Sequence, residues 1–439
     1  MAKPIPSKYE SFGRYPKSEP GSVSNIVWKS DLSKIDFTDE NLPIGKLRTY
    51  GDSCQLHGGH LIDLTHLNRL ISWDQKNGII EAEAGISFED LLTFLVPKGY
   101  FVPVTPGTKY VTLGGAIAND VHGKNHHVAG TFGNHVISFV LYRTDRGFIT
   151  CSEDDNTDLF KATIGGLGLT GIIVSAKFKC EAIETPFIYQ ETIKYKSLSD
   201  FFDLNTYSEQ IFPCTVAWVD CTTQGRNMGR GIYIRGRFAS KEEAPSKKVS
   251  EVSKKGFPFD YPFINGLSVS AFNKLFYAKQ LRKQNDGYVH YEPFFYPLDG
   301  ILNWNKAYGK NGFMQYQFVI PHGRERKGFE EFFQVITKSG LSSFLTVMKT
   351  FGDIKSPGML SFPIKGVNLA IDIRNDGKKT LDFLAKLDEL VIKYDGRIYP
   401  AKDSRMPGEH FRKYYPNWEE FSQYIDKPLI SDFWKRVTK

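Results

Sequence analysis

Two glycine-rich segments carry residue types suited to a flat cofactor that bears phosphate. Gly45-Lys46-Leu47-Arg48-Thr49-Tyr50-Gly51-Asp52-Ser53 combines glycines, which let the backbone approach a ligand closely, with N–H groups and hydroxyls able to face an anion. The second segment, Pro106 to His127, contains Gly107, Thr112, Leu113, the small-residue run Gly114-Gly115-Ala116-Ile117-Ala118, then Asn119, Asp120, Val121 and His122. A ring system could lie against the small residues with His122 beside it. A glycine-rich turn carrying solvated histidines is the alternative reading. Histidines 122, 126 and 127 also suggest a metal. However, His126 and His127 are adjacent and diverge in a strand, and no acidic partner stands at ligand spacing, so metal-free chemistry is expected.

Gly166-Leu167-Gly168-Leu169-Thr170-Gly171 matches GxGxxG, but that fingerprint must open a helix to hold a dinucleotide. Here Ile172, Val174, Ala176 and Phe178 alternate as in a strand, which makes the match a tight turn beside a cofactor. Gly396 to Arg405 concentrates charge around Tyr399 and Lys402, as a reactive segment or as a solvated turn with ion pairs.

The elements that must hold these residues form an α+β pattern. From about Leu42 to Cys180 the chain is dense in glycine and short apolar runs, with one helix from Ser87, where Ser87 and Asp90 make a capping box and Phe88, Leu91, Leu92 and Leu95 mark one face. From about Glu181 to Gly396, longer strands alternate: Met314, Tyr316 and Phe318 against Gln315 and Gln317, and Leu369, Ile371 and Ile373 against Asn368, Ala370 and Asp372. Helices over Phe329–Ser339 and Thr380–Tyr394 would back the apolar face and leave the polar face to line a cleft. Ser240 to Lys255 is rich in Lys, Glu and Ser and reads as a mobile loop. The aromatics after it, Phe257, Phe259, Tyr261, Phe263, Phe272, Phe276 and Tyr277, either pack over the cleft or meet a lipid chain or bilayer.

Composition narrows the setting. A chain of 439 residues, 41% hydrophobic and 24% charged, folds and has room for two domains, which excludes a mostly disordered protein. The net charge of +7 favours anionic ligands or an acidic membrane surface but is spread too evenly for nucleic acid. Five cysteines, at 54, 151, 180, 214 and 221, form no CxxC pair and suit reduced thiols in the cytoplasm. Met1 to Pro16 holds charges and prolines where a signal peptide needs an apolar run, and no stretch is long enough to span a membrane. A soluble protein is expected, at most peripheral at the inner membrane.

Over most of the chain after about residue 42, the sequence resembles the FAD-linked oxidases of the vanillyl-alcohol oxidase superfamily, with a PCMH-type FAD-binding domain. Within that superfamily it is most similar to the oxidases of polyprenyl-phosphate riboses. The stretches that carry the resemblance are Arg48-Thr49-Tyr50-Gly51-Asp52, Gly114 to Ala118 with His122 to His127, Phe132-Gly133-Asn134-His135-Val136, Gly168-Leu169-Thr170-Gly171, Gln315 to Pro321, and Ala401-Lys402-Asp403-Ser404-Arg405.

The resemblance implies an FAD-binding domain over residues 1–185, a substrate domain with an antiparallel sheet over 186–396, and a segment, 397–439, that returns to the first. It places Pro43 and Ile44 with Gly45 to Ser53 around the pyrophosphate. Gly107, Thr112, Leu113, Gly114, Gly115, Asn119, Asp120, Val121, His122, Ile173 and Tyr399 surround the rest of the flavin. His122 and Lys402 fall at the reactive face, and Gln315, Gln317, Lys349, Asn368 and Lys402 on the substrate side, with Lys349 suited to a substrate phosphate. No histidine lies between Gly45 and Ser53, so non-covalent FAD is expected.

The sequence departs from the family at two places. The region before Gly45 is short for a complete first βαβ unit, so part of the adenine-side wall is trimmed or replaced by Ile35 to Asn41. Ala370 replaces a cysteine of the resembled enzymes, so covalent thiol-directed inhibition is not expected there.

The activity implied is oxidation of a sugar's secondary hydroxyl, at C2′ of a polyprenyl-phosphate pentose, with hydride passing to the flavin as the first half of an epimerisation. A short-chain dehydrogenase partner would complete it. Lys402 could stabilise alkoxide charge, and either His122 or a Lys402 amine of lowered pKa could take the proton. The alternatives are an aldonolactone or alditol oxidase acting on a small free sugar, and a non-catalytic carbohydrate- or lipid-binding protein.

Overall fold

The Ser87 hydroxyl accepts from the Asp90 N–H, and the Asp90 carboxylate accepts from the Ser87 N–H, so the capping box starts helix α1 (Phe88–Leu95) where the sequence places it. The computed structural model describes residues 9–245, 255–256 and 264–439. The loop expected over Ser240–Lys255 falls mostly on 246–254, outside the described residues, as do Phe257, Phe259, Tyr261 and Phe263.

Strands β1 (Ser22–Asn25), β2 (Asn41–Ile44) and β3 (His60–Asp63) form a parallel sheet with β3 central. A single 3-10 turn, Lys29–Lys34, and residues 35–40 connect β1 to β2, a compressed unit that delivers the chain directly into the first glycine segment.

Strands β4 (Leu70–Asp74), β5 (Ile79–Glu83), β6 (Val136–Arg143), β7 (Gly147–Ser152) and β8 (Ile172–Lys179) make an antiparallel sheet in the order β4-β5-β8-β6-β7. Helix α1 and the short helix α2 (Leu113–Ala118) pack on it through Phe88, Leu91, Leu113 and Ile117 against Ile80, Phe139 and Phe178. The GxGxxG match is a turn with positive φ at Leu167, Gly168 and Gly171, and it runs into β8 rather than a helix.

Strands β9 (Phe187–Tyr195), β10 (Cys214–Val219), β11 (Gly231–Phe238), β12 (Gln284–His290), β13 (Phe313–Pro321), β14 (Thr346–Phe351), β15 (Gly366–Arg374) and β16 (Arg397–Ile398) form a second antiparallel sheet, ordered β12-β9-β11-β10-β14-β15-β13-β16. Its helices are α3 (Leu198–Ser208), α4 (Gly266–Lys279), α5 (Glu325–Lys338) and α6 (Lys378–Lys393). Met314, Tyr316, Phe318, Leu369, Ile371 and Ile373 pack against Phe201 of α3, Phe329 and Phe332 of α5, and Phe383 and Leu387 of α6. The alternation seen in the sequence therefore puts the apolar face on the helices, and the register sets Gln317 opposite Ala370 and Lys349 opposite Asn368 on the other face. Helices α5 and α6 begin at residues 325 and 378, before the expected starts, because the polar first turns lie outside the apolar period. No helix among the described residues is long and apolar enough to cross a membrane.

After β16 the chain returns to the first glycine segment and ends in α7 (Gly408–Tyr414) and α8 (Asp432–Thr438). The Tyr50 N–H donates to the Ala401 carbonyl (3.1 Å), and a Cβ on Gly51 would lie 1.5 Å from the Asp403 carbonyl oxygen, so only glycine permits this approach. Arg436 of α8 donates to both Asp52 and Asp403 at 2.8 Å, and both carboxylates are buried. Arg436→Ala leaves two buried carboxylates without their cation and should cost about 3–5 kcal/mol in denaturant unfolding. A loss under about 1 kcal/mol, typical of an exposed ion pair, would contradict this reading.

Candidate active site

One cavity of about 870 Å³ lies between the glycine segments and the polar face of the second sheet. Pro43 to Tyr50, Ser53, Gly107, Thr112, Gly114, Gly115, Asn119, Val121, His122, Ile173 and Tyr399 line one side. Gln315, Gln317, Lys349, Asn368, Ala370 and Lys402 line the other.

The N–H groups of Lys46, Leu47, Arg48 and Thr49 donate to no acceptor among the described residues, and Leu47 takes a positive φ of 51°. Successive unpaired donors of this kind form a cradle for an anion. A Cβ on Gly45 would meet the Thr112 hydroxyl at 2.3 Å, and Thr112 caps α2 by accepting from the Gly115 N–H, so the two glycine segments close on each other. Tyr399 donates to the Asn119 carbonyl (2.7 Å), which holds the returning segment against the end of α2. These groups fit FAD: free donors suit a pyrophosphate, and the small residues leave room for a ring system.

Four residues expected at the cofactor, Gly51, Asp52, Leu113 and Asp120, stand outside the set that lines the cavity. Gly51 packs on Asp403, and Asp52 pairs with Arg436. Leu113 lies in the apolar core beneath α2. Asp120 accepts from the Gly133 N–H (2.9 Å) and from the hydroxyls of Ser356 and Ser361, tying α2 to the β14–β15 connection. Of the other histidines, His126 Nδ1 accepts from the Gly352 N–H and His127 Nε2 bonds the Phe212 carbonyl, so both serve packing. No group of three or more metal-ligating side chains occurs among the described residues.

At the polar end, Lys349 Nζ lies 2.9 Å from His122 Nδ1, and Gln317 Nε2 lies 3.0 Å from both His122 Nε2 and Asn368 Oδ1. Burial, with Lys349, His126 and Lys402 nearby, holds His122 well below the usual imidazole range, so the ring is neutral. The Gln317 amide and the Lys349 amine thus bracket the ring, one at each nitrogen. Burial and the charges of Lys124 and Lys402 bring Lys349 down to about 7.

Lys402 Nζ sits 3.7 Å over the Tyr50 ring. Burial lowers this amine to about 7, opposed by the charge of Asp372. Asp372, raised by burial to about 7, accepts from Gln315 Nε2 (2.6 Å), and its Oδ2 has no hydrogen-bond partner. Lys124, lowered by burial to about 8, lines the same cavity and donates to the Phe295 carbonyl (3.1 Å). Sequence reading assigned no role to Lys124 or Asp372. Lys124 stands within the His122–His127 motif, and Asp372 shares the polar face of β15 with Asn368, so both carried a usable signal.

The wall also carries apolar side chains. Val216, Trp218, Phe344, Phe272, Phe276, Leu298 and Trp304 line it, and Arg48 stands between the rings of Phe12 and Tyr110, 5.3 Å from each. The cavity therefore combines a cradle for phosphate, a group of amines and amides, and an aromatic stretch of wall.

Residues 39–152 match the FAD binding domain family. Together with the site, this defines an FAD-dependent oxidoreductase acting on CH–OH groups. Over 393 residues, 85% of this chain and 83% of the relative, the sequence is 38% identical to decaprenylphosphoryl-beta-D-ribose oxidase of Mycolicibacterium smegmatis. It is 28% identical over 354 residues, 77% of this chain and 94% of the relative, to an uncharacterized protein in the mprA 5′ region of Streptomyces coelicolor. A shorter match, 30% identical over 135 residues, links 29% of the chain to 30% of L-gulonolactone oxidase of Mus musculus. The chain belongs to the decaprenylphosphoryl-ribose oxidase family of the vanillyl-alcohol oxidase superfamily.

Gly45→Ala should push Thr112 aside and spoil both the cradle and the cap of α2, weakening FAD binding about tenfold or more, equivalent to about 1.4 kcal/mol. Fluorescence titration of the apoprotein with FAD measures this, and unchanged affinity would contradict the cradle.

Proposed function

We propose that this enzyme oxidises the C2′ hydroxyl of a pentose carried on a polyprenyl phosphate, as the first half of a 2′-epimerisation. The make-up of the cavity carries the reading: amines and amides share its wall with a set of aromatic side chains, of which Phe272 and Phe276 are also exposed. A sugar phosphate joined to a lipid chain has the same two chemistries. A lactone or free alditol would use only the amines and amides, which disfavours the alternative reading despite the gulonolactone oxidase match. Similarity to the decaprenylphosphoryl-beta-D-ribose oxidase of Mycolicibacterium smegmatis supports a ribose on a decaprenyl phosphate.

In this reading, residues 1–185 and 397–439 hold dissociable FAD, and 186–396 receive the substrate. Bound FAD supplies the hydride acceptor. The chain's own residues must orient the sugar and take the hydroxyl proton. A proton acceptor works best with a pKa near the working pH, and Lys402 at about 7 meets that requirement. His122, held far lower, is the weaker base, and its role is to order Gln317 and Lys349 at the sugar. Neutral Lys402 accepts the proton, and the ammonium so formed stays in contact with the Tyr50 ring. Lys124, at about 8, supplies positive charge for the substrate phosphate, and Lys349, at about 7, takes up a proton as the anion arrives. The ketone product then needs a reductase, for which a short-chain dehydrogenase is the partner implied by the resemblance.

Anaerobic mixing with a polyprenyl-phosphate ribose should bleach the flavin, whereas free lactones and alditols should not; bleaching by the free sugars alone would overturn the substrate assignment. The rate of bleaching should rise with pH through about 7 and level off above it, because the accepting amine is neutral only on the alkaline side. Lys402→Ala and Lys402→Arg should both remain yellow and lose bleaching at least about a hundredfold, the range of a general base. Retained activity in Lys402→Arg, whose charge is permanent, would show that the amine stabilises charge rather than taking the proton.

A further inference from the structure

The helix that roofs the aromatic stretch of the cavity wall is fixed to the protein by one face and leaves an apolar face outside. Val269 and Asn273 of α4 are buried, Asn273 donates to Asp220 Oδ1 (3.2 Å) and the Ser343 carbonyl (3.1 Å), and Tyr277 donates to the Tyr195 carbonyl (3.1 Å). These contacts set the rotation of the helix about its axis. Leu275 consequently faces outward, 72% exposed, Phe272 and Phe276 stand at the cavity rim, 45% and 37% exposed, and Leu281 just beyond the helix is 92% exposed. Apolar side chains this exposed and this close together mark an interaction surface.

Two further observations identify what the surface meets. Between Ile264 and Lys283 the chain carries four basic residues, Lys274, Lys279, Arg282 and Lys283, and no Asp or Glu, and all four are exposed. Apolar side chains ringed by cations complement a surface that is apolar inside and anionic at its face. The patch is also continuous with the cavity: Phe276 meets Trp218 edge-on (4.7 Å), Phe272 meets Phe344 (5.9 Å), and all four line the cavity wall. Nearby, Ile301 and Leu302 line the same wall while remaining about 40% exposed.

We propose that α4 with Leu281 is a membrane-docking face, which seats the enzyme on an anionic phospholipid bilayer with the mouth of its cavity against the lipid. The purpose of this placement rests on the lipid-linked substrate reading, since a polyprenyl chain would then pass from the bilayer to the aromatic stretch of the cavity wall without crossing water. Leu275 and Leu281 enter the acyl boundary, and the four cations lie among the headgroups.

The test is sedimentation of the FAD-loaded full chain with vesicles of phosphatidylcholine containing phosphatidylglycerol, compared with phosphatidylcholine alone. The native protein should sediment with the anionic vesicles, and less so as salt is raised. The double variant Leu275→Glu with Leu281→Glu should lose about tenfold in bound fraction, and Lys274→Glu with Lys279→Glu about fivefold, with flavin absorbance unchanged in both. The leucine pair lies outside the cavity wall, so bleaching by a short-chain, water-soluble phosphoribose should be as in the native protein, while turnover of a long-chain substrate embedded in vesicles should fall. Equal sedimentation of native protein and leucine variant would overturn the proposal. So would a leucine variant that changes oligomeric state without vesicles, because the face would then join copies of this chain. Sedimentation as expected with no bleaching by any phosphoribose would uphold the docking face and refute the substrate reading instead.

Discussion

Three lysine amines, those of Lys124, Lys349 and Lys402, share the wall of one enclosed cavity, and the cost of keeping three charges there governs the site. Removal from water favours the neutral form of each amine, and at Lys349 the charges of Lys124 and Lys402 add to that preference. Lys349 and Lys402 are brought to about 7 and Lys124 to about 8. The carboxyl that opposes the discharge of Lys402, Asp372, is buried as well and raised to about 7, so it offsets only part of the charge. Few groups of this kind can all be ionised together, which is why the proposed mechanism gives the proton to Lys402 rather than to His122. An incoming phosphate would restore the balance, which gives the pocket a physical reason to select a phosphorylated sugar.

Assembling those amines requires segments far apart in the chain to meet. Lys402 reaches the cavity because the tail packs on Gly51 at a distance that no side chain would allow, and Arg436 holds the joint through Asp52 and Asp403. Lys349 and Asn368 arrive side by side through strand register. His122 arrives from the end of α2, whose cap at Thr112 also abuts Gly45. The proposed cofactor cradle and the amines of the cavity therefore depend on the same few close contacts.

The parts legible from sequence are those with local signals. The Ser87–Asp90 box announced its helix, and strict alternation in 314–318 and 368–373 identified both the core and the cleft-lining faces of their strands. The turn at 166–171 could be separated from a dinucleotide loop because strand alternation follows it. Pairings across hundreds of residues had no such signal: Asp52 reads as a motif acid beside a glycine, and only the fold reveals Arg436 as its partner. Asp120 and Leu113 sit within the second glycine segment, yet the direction of a side chain in a tight helix–turn depends on packing from Gly133, Ser356 and Ser361. The aromatics at 272 and 276 were visible as a cluster, but their division between cavity wall and open surface depends on how Asn273 and Tyr277 anchor the helix.

The most direct measurement is an NMR titration of the protein labelled with ¹³C at lysine Cε, with Lys402→Arg and Lys349→Arg used to assign the two resonances. Both amines should titrate with midpoints near 7, well separated from the surface lysines. Midpoints at the ordinary lysine value of about 10.4 would show that the cavity does not discharge its amines, and the account of the site would fail.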